Sequence, residues 1–130
     1  MFTIDQIKEA HSKVKSGADF PQYIQDLIAL GVIHYNTYVK DGHTVYWGCD
    51  NYRIQSPPKY DNLQVAEAGN MSDFIHHLNA HQAGETDYPQ FCKDAANDGV
   101  EKWVVDMVEM TCIYYDRAGH KIYEEEIPTP

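Results

Sequence analysis

Two segments of this 130-residue chain resemble each other closely enough to constrain the whole fold. Residues 19–32 and 87–100 are identical at six of fourteen positions and exchange Phe and Tyr at two more, where unrelated segments would share about one residue by chance. Each segment has Asp at its start, Pro in its first turn and Gly at its end, which predicts a helix. Turn chemistry fixes the Pro and Gly but not the shared Gln. The similarity therefore predicts an internally duplicated chain.

A further helix is predicted before each of these two segments. Thr3 and Gln6 have capping-box spacing for the first, which we expect to end at Gly17. Ser72 is expected to cap its counterpart in the second half. Asp19 opens the helix of the first similar segment with a Gln three residues later, which predicts another capping box. Each half of the chain therefore begins with two helices.

β-Rich runs follow each pair of predicted helices. In the first half, two such runs flank Lys40-Asp41-Gly42, which is a hairpin signal. In the second half, residues 103–115 are apolar on both faces, which favours one central strand, bent or bulged at Asp106 or Glu109. A final strand is expected over residues 120–127. Each half therefore continues from its helices into a hairpin.

These signals predict an α+β fold in a single domain over residues 1–130. We expect two helix–helix–hairpin units, over residues of about 3–49 and about 72–127. Units too small to bury their own apolar faces should share one antiparallel sheet, with the helices packed on one face. Residues of about 50–71 form an insertion between the units, in which Ser56-Pro57-Pro58 breaks regular structure.

The charge of the chain is uneven along its length. The formal net charge is −10, and residues 1–65 carry seven acidic and six basic residues against thirteen and four in residues 66–130. Nucleic-acid affinity comes mostly from Lys and Arg that release counterions, so the acidity argues against a nucleic-acid partner. It favours a basic or amphipathic protein partner, because complementary charge steers association.

Targeting signals and cysteine usage indicate a compartment. No stretch approaches the roughly eighteen apolar residues of a membrane span, and the N-terminus lacks the apolar core of a signal peptide. The three cysteines, Cys49, Cys92 and Cys112, are an odd number with no CxxC spacing. We therefore expect a reduced, cytoplasmic protein without a membrane partner.

The second half carries a motif that resembles a known family. Its residues are Gln82-Ala83-Gly84-Glu85-Thr86-Asp87-Tyr88, Phe91-Cys92, Gly99-Val100, Trp103, Val105-Asp106, Met110-Thr111-Cys112, Tyr114-Tyr115-Asp116 and Ile127-Pro128. With this motif the chain resembles the YbcV-like family, uncharacterised proteins of about this length from enteric bacteria and their prophages, some of them labelled phage envelope protein. The resemblance covers the whole chain. It implies a prophage origin but no activity, cofactor or catalytic residue.

His77 and His81 are the most metal-like pair, because two imidazoles one helical turn apart can share an ion. The segment lacks the adjacent Glu of a HExxH hydrolase, and no third ligand has diagnostic spacing. His81 falls beside Phe74 and Leu78 on the predicted apolar stripe, which favours a structural role. We therefore predict no metal or other cofactor and keep the pair as the alternative.

Cys92 is the candidate nucleophile of the sequence. It lies in the first turn of a predicted helix, where the helix dipole lowers a thiol pKa. His81, eleven residues upstream, would be its base, but the third, orienting group of such a site is not visible. Cys92 also stands where the first similar segment has Ile24, and a free Cys is more often a buried apolar residue.

The sequence leaves three functions open. The favoured one is a small acidic, non-enzymatic protein-binding or regulatory module, since Tyr and Trp anchor interfaces and the chain has ten Tyr and two Trp. The second is a small enzyme or metal-binding protein that uses His77, His81 and Cys92. The third is a homo-oligomeric structural or virion protein.

Overall fold

A computed structural model describes residues 1–15 and 17–130. In this part of the chain, four α-helices and one six-stranded sheet form a mixed α/β fold, and the elements follow one another in two series of the same order. The first series, unit one, is α1 (Ile4–His11), α2 (Phe20–Leu30), β1 (His34–Tyr38), β2 (Thr44–Trp47) and β3 (Arg53–Gln55). The second series, unit two, is α3 (Met71–Gln82), α4 (Tyr88–Asn97), β4 (Lys102–Asp106), β5 (Thr111–Tyr115) and β6 (Lys121–Glu126). Each unit thus has three strands where the sequence predicts a hairpin.

The sheet is antiparallel throughout and has the strand order β3-β2-β1-β4-β5-β6. The first strands of the two units meet at its centre, where His34 is opposite Asp106 and Tyr38 is opposite Lys102. β3, which lies in the predicted insertion, and β6 are the two edge strands. The sheet is therefore one structure to which both units contribute equally.

Two of the predicted helix caps are confirmed. The Thr3 hydroxyl accepts a hydrogen bond from Gln6 N at 3.2 Å, and the Gln6 side chain accepts one from Thr3 N at 2.9 Å, so the capping box of α1 is complete. In α4, the Asp87 carboxylate accepts from Gln90 N at 2.9 Å. α1 ends at His11, several residues before the expected end at Gly17.

The other two caps differ from the prediction. The N-cap of α3 is Asn70 and not Ser72: its side chain accepts a hydrogen bond from Asp73 N at 3.0 Å. Asn is as good an N-cap residue as Ser. Asp19 has helical backbone angles, whereas a capping residue needs extended ones, and it makes no side-chain cap bond in α2.

Within the described residues, no helix is both long and apolar enough to cross a membrane.

The predicted long strand over residues 103–115 is wrong, because the chain turns in its middle. β4 ends at Asp106, whose carboxylate accepts hydrogen bonds from Val108 N at 2.8 Å and Glu109 N at 3.0 Å. Met110 then adopts a positive φ of 56°. An Asp that bonds the backbone two and three residues onward offers a turn in place of a strand, so the run forms two strands.

The core lies between the helices and one face of the sheet, here called the inner face. Phe74 on α3 contacts Tyr114 on β5, with ring centroids 4.6 Å apart, and Phe91 on α4 contacts Trp103 on β4 at 5.7 Å. In unit one, Leu27 on α2 is fully buried in the same core. The outer face of the sheet points away from these contacts, because successive residues of a strand point to opposite faces.

Candidate functional site

The inner face carries one cross-strand aromatic pair from each unit. Tyr35 on β1 is opposite Tyr46 on β2, with ring centroids 5.5 Å apart. Trp103 on β4 is opposite Tyr114 on β5, with centroids 6.0 Å apart. All four side chains are buried, as expected for aromatic residues on the covered face of a sheet. Together they form the floor of the candidate site.

A cavity of about 740 Å³ lies above this floor, between the helices of the two units. Residues of all four helices and of β1, β2, β4, β5 and β6 line it. Exposed residues of the two helix–helix connections lie at its mouth, among them Lys15, Glu85 and Asp87. Its volume lies within the range of small-molecule sites, roughly 300–1,000 Å³.

Hydroxyl groups of unit one form a hydrogen-bonded chain along one wall of the cavity. The Thr37 and Thr44 hydroxyl oxygens are 2.9 Å apart. The Tyr46 hydroxyl lies close to those of Thr44 and Tyr23 and interacts with both. Burial raises the pKa of the Tyr23 and Tyr46 hydroxyls above the ordinary value, so both are protonated at neutral pH. Because a protonated hydroxyl both donates and accepts, this wall offers both kinds of hydrogen bond.

The wall contributed by unit two is more apolar. Trp103 and Phe91 are the rings that face the cavity there. The main polar group is the Glu125 carboxylate, which accepts hydrogen bonds from the Tyr114 hydroxyl at 2.8 Å and from the Gln82 amide at 3.1 Å. Both carboxylate oxygens thus already have partners within the protein.

Lys59 brings a positive charge to the cavity from the segment between β3 and α3. Its ammonium nitrogen lies 5.7 Å from the centroid of the Tyr88 ring, a cation–π arrangement. Desolvation lowers the pKa of this ammonium group. Over residues 1–15 and 17–130, the ion pairs are Asp41–His43, Asp98–His77, Asp116–His120 and Glu124–Lys121. Lys59 therefore has no carboxylate partner in that part of the chain.

The structure gives His77 and His81, the alternative metal-ligand pair, separate partners. His77 Nδ1 lies 2.6 Å from the buried Asp98 carboxylate, and this hydrogen bond raises the His77 pKa. His81 lines the cavity, with its Nδ1 3.1 Å from the Thr86 carbonyl oxygen and its ring stacked 4.5 Å from that of Phe91. Among the residues that the structure describes, no three His, Cys, Asp or Glu side chains are grouped to hold a metal ion.

Cys92 is buried behind the cavity wall, with 1% of its surface exposed. Its polar neighbours include the hydroxyls of Tyr60 and Tyr88 and the ammonium group of Lys59. Burial raises its pKa, whereas the helix position predicts a lowered pKa; the cost of desolvating a thiolate outweighs the helix dipole. The thiol is therefore protonated at neutral pH, and His81, the predicted base, instead contacts Thr86.

Sequence reasoning missed Lys59 and Tyr88 as parts of a site. Lys59 follows Ser56-Pro57-Pro58, where no periodic pattern indicates which way a side chain points. Tyr88 is visible in the sequence as the exchange for Phe20 between the two similar segments. Tyr88 therefore has a hydroxyl group where Phe20 has none. This difference is the sequence signal that could have identified Tyr88 as part of a site.

The outer face of the sheet carries a second group of aromatic side chains. The His34 and Trp47 rings are stacked with centroids 4.4 Å apart, and the Tyr38 and His43 rings are stacked at 4.6 Å. All four residues are half-buried. The Asn36 side-chain oxygen on the same face is buried, and within the described structure it has no hydrogen-bond partner. The outer face thus offers stacked aromatic rings for contact with a partner.

Comparison with protein families places almost the whole chain in one family. The model of the family described as "Protein of unknown function (DUF1398)" matches residues 8–126. A comparison with curated proteins gives no match. The chemistry of the site must therefore be read from its own geometry.

Proposed function

We propose that this chain, which belongs to the DUF1398 family of proteins of unknown function, is a non-enzymatic binding protein for a small molecule. The cavity of about 740 Å³ between the two units carries this proposal. Natural ligand sites are concave and mostly apolar, with a few polar groups that fix the orientation of the ligand. Aromatic rings on the floor and hydroxyl groups on one wall fit that description.

The polar groups of the cavity support binding better than catalysis. A nucleophile or general base needs a pKa near the working pH. Burial instead raises the pKa of the Tyr23 and Tyr46 hydroxyls and of the Cys92 thiol, which removes them from that range. Hydroxyls that stay protonated orient a ligand by hydrogen bonds. The enzyme hypothesis built on His77, His81 and Cys92 gains no support from their separate contacts.

A fluorescent apolar probe tests this proposal. Phenylnaphthylamine fluoresces strongly only in apolar surroundings, and its size is well below the cavity volume. We expect saturable binding to the wild-type protein at one site. The variant Val14→Trp, which places a large ring on the half-buried wall, should weaken binding at least tenfold.

The matched control is Val108→Trp, because Val108 is 75% exposed on the turn between β4 and β5. This variant makes the same chemical change outside the cavity lining and should bind the probe like the wild type. Equal weakening by the two variants, or no saturable binding to the wild type, would contradict the proposal.

Docking of a basic or amphipathic protein on the outer face is the second candidate function. Glu124 and Glu126 on β6 are exposed and project to the outer face, where Trp47 is half-buried. Charge of this kind steers a basic partner. A fluorescent Lys-rich amphipathic peptide should bind with an affinity that falls as salt rises and should lose affinity in Trp47→Ala. Salt-independent binding, or binding unchanged by this substitution, would count against it.

We also propose that the two units descend from one duplicated unit. The common element order supports this, and so do local contacts that recur at corresponding positions. The recurring contacts are Gln22–Asp26 and Gln90–Asp94 hydrogen bonds at 3.1 and 2.9 Å, and His11–Tyr23 and His81–Phe91 ring contacts at 5.3 and 4.5 Å. Neither kind of contact is required by capping or turn chemistry.

A cytoplasmic location and a prophage origin within the YbcV-like group are further proposals. Three free cysteines, of which Cys92 and Cys112 are buried, fit a reducing compartment. The motif over residues 82–88 supports the YbcV-like assignment. Fractionation of the native host, with antibody detection of the protein, would test the location.

A further inference from the structure

The charged groups of the cavity are distributed unequally between its mouth and its interior. Glu85 and Asp87 are exposed at the mouth, while Glu125 lies deeper and has hydrogen-bond donors for both oxygens. Of the two lysines that line the cavity, Lys15 lies at the exposed mouth, whereas Lys59 lies over the Tyr88 ring and near the Cys92 thiol. Lys59 is exposed overall, but its ammonium group is partly desolvated where it lines the cavity and has no carboxylate partner in the described structure, so an anionic ligand would supply one.

The groups around Lys59 favour the binding of an anion. The described structure gives it no carboxylate partner, and the neighbouring charge that opposes it is that of Lys8. His11, which also lines the cavity, has its pKa lowered by burial and by Lys59, so its ring is neutral at neutral pH and can still donate through one N–H. An ammonium group and a neutral imidazole donor therefore share this end of the cavity.

A second, smaller cavity lies on the other side of the same residues. Its volume is about 310 Å³, and it shares His11, Tyr23, Tyr46 and Lys59 with the larger cavity. The shared residues supply an ammonium group, an imidazole and two protonated hydroxyls. Donors dominate this set, which is what an oxyanion requires.

We infer that the ligand of the proposed cavity is an organic anion: an aromatic body that lies on the floor of the cavity and a carboxylate, sulfonate or similar oxyanion that pairs with Lys59. This inference rests on the proposed binding function and specifies its ligand class. The aromatic body would contact Tyr35, Tyr46 and Trp103. The oxyanion would accept hydrogen bonds from the Lys59 ammonium group and from His11.

Two probes with the same ring skeleton distinguish the contribution of the anionic group to binding from that of the aromatic body. Anilinonaphthalene sulfonate is phenylnaphthylamine with an added sulfonate group. The net charge of −10 should repel an anionic probe from the surface as a whole. We nevertheless expect the wild-type protein to bind the sulfonate probe more tightly than the neutral one at low ionic strength.

Substitution of Lys59 should abolish that preference. Lys59→Met is expected to weaken binding of the sulfonate probe at least tenfold and to change binding of the neutral probe by less than twofold. Lys59→Arg keeps the charge and should stay within about threefold of the wild type for both probes. Lys13→Met removes a charge from an exposed residue outside both cavities and should change neither.

The outcomes distinguish the two proposals. If the neutral probe binds but the wild type and Lys59→Met bind the sulfonate probe equally, the anion inference is wrong and the binding proposal stands. If neither probe binds the wild type, both proposals fail. Should Lys59→Met fail to fold, as judged by its circular dichroism, the ratio of the two wild-type affinities still decides: a preference for the neutral probe overturns the anion inference.

Discussion

Unit one and unit two have the same sequence of elements, but they give the cavity walls of different chemistry. At four pairs of corresponding positions, unit one has a hydroxyl group and unit two has none; these are Tyr23 and Phe91, Tyr35 and Trp103, Thr37 and Val105, and Thr44 and Cys112. The reverse holds at one pair, Phe20 and Tyr88. The wall of unit one therefore has more hydroxyl groups, and the wall of unit two is more apolar. A scaffold with two similar halves can thus orient a ligand, because its two walls are not equivalent.

The segment that follows β3 adds to this difference. Lys59 lies in this segment, which joins the two units. Unit two carries most of the negative charge of the chain. The two lysines that line the cavity, Lys15 and Lys59, thus come from the half of the chain whose net charge is nearly neutral, which strengthens the distinction between the two walls.

The largest expected loss of stability comes from alanine substitution at one of the two glycines that follow α2 and α4. Gly99 has a φ of 83°, and a Cβ there would clash with the Ala68 carbonyl group, whereas at Gly31, with a φ of 104°, the nearest atom is the Phe2 side chain at 3.8 Å. Gly99→Ala should lower the free energy of unfolding by about 4 kcal/mol, combining the left-handed penalty with overpacking. Gly31→Ala should cost about 1–2 kcal/mol. Urea denaturation measures both, and equal losses would contradict the described packing.

The second prediction concerns a substitution that gives a core position of unit one the residue found at the corresponding position of unit two. Leu27 and Ala95 correspond, and both are fully buried. Leu27→Ala should lower the free energy of unfolding by about 3 kcal/mol, because it leaves a cavity in the core. The adjacent Ile28→Ala, at a residue that is 38% exposed, should cost less than about 1 kcal/mol. A loss for Leu27→Ala no greater than that control would argue against a shared core.

The third prediction removes a hydroxyl group from the polar wall. Thr37→Val copies Val105 of unit two and removes the hydroxyl group that lies 2.9 Å from that of Thr44. We expect a loss of about 1–2 kcal/mol in the free energy of unfolding. The double variant Thr37→Val/Thr44→Val should lose about 1 kcal/mol less than the sum of the single variants. Additive losses would show that the two hydroxyls are not coupled.

The smallest effect concerns an ion pair found in unit two. The pKa of His77 in the folded protein is raised above 6.5 by its hydrogen bond with Asp98. The stabilisation is therefore complete below pH 6.5, as long as Asp98 is ionised, and it disappears as the pH rises through the raised value. His77→Gln should be about 1 kcal/mol less stable than the wild type near pH 5.5, and this difference should shrink near pH 9. A difference that is equal at both pH values would contradict the assignment.

The sequence predicts the parts of this fold that local chemistry determines. The Thr3–Gln6 box, the Asp87 cap and the hairpin turn at Gly42 are such parts, because each depends on residues close together in the chain. The prediction from the sequence is wrong over residues 103–115. Apolar residues on both faces there favour one long strand and give no sign of the turn that Asp106 stabilises. Local signals compete there, and tertiary packing decides between them.

The candidate site was harder to predict than the fold. His81 and Cys92 attract notice as chemical groups, yet one stacks on Phe91 and the other is buried behind the wall. The cavity instead depends on ordinary residues such as Thr44 that converge from distant parts of the chain. Convergence of this kind depends on strand order and register, which no local pattern encodes.

Magnetisation transfer between bound phenylnaphthylamine and protein methyl groups tests the central claim most directly. Thr44 and Val45 are neighbours on β2, and their side chains point to the inner and outer faces of the sheet, respectively. With methyl-labelled protein, ligand binding in the cavity predicts nuclear Overhauser effects from the probe ring to the Thr44 methyl group and none to that of Val45. Effects at Val45 without effects at Thr44 would place the ligand on the outer face and contradict the account.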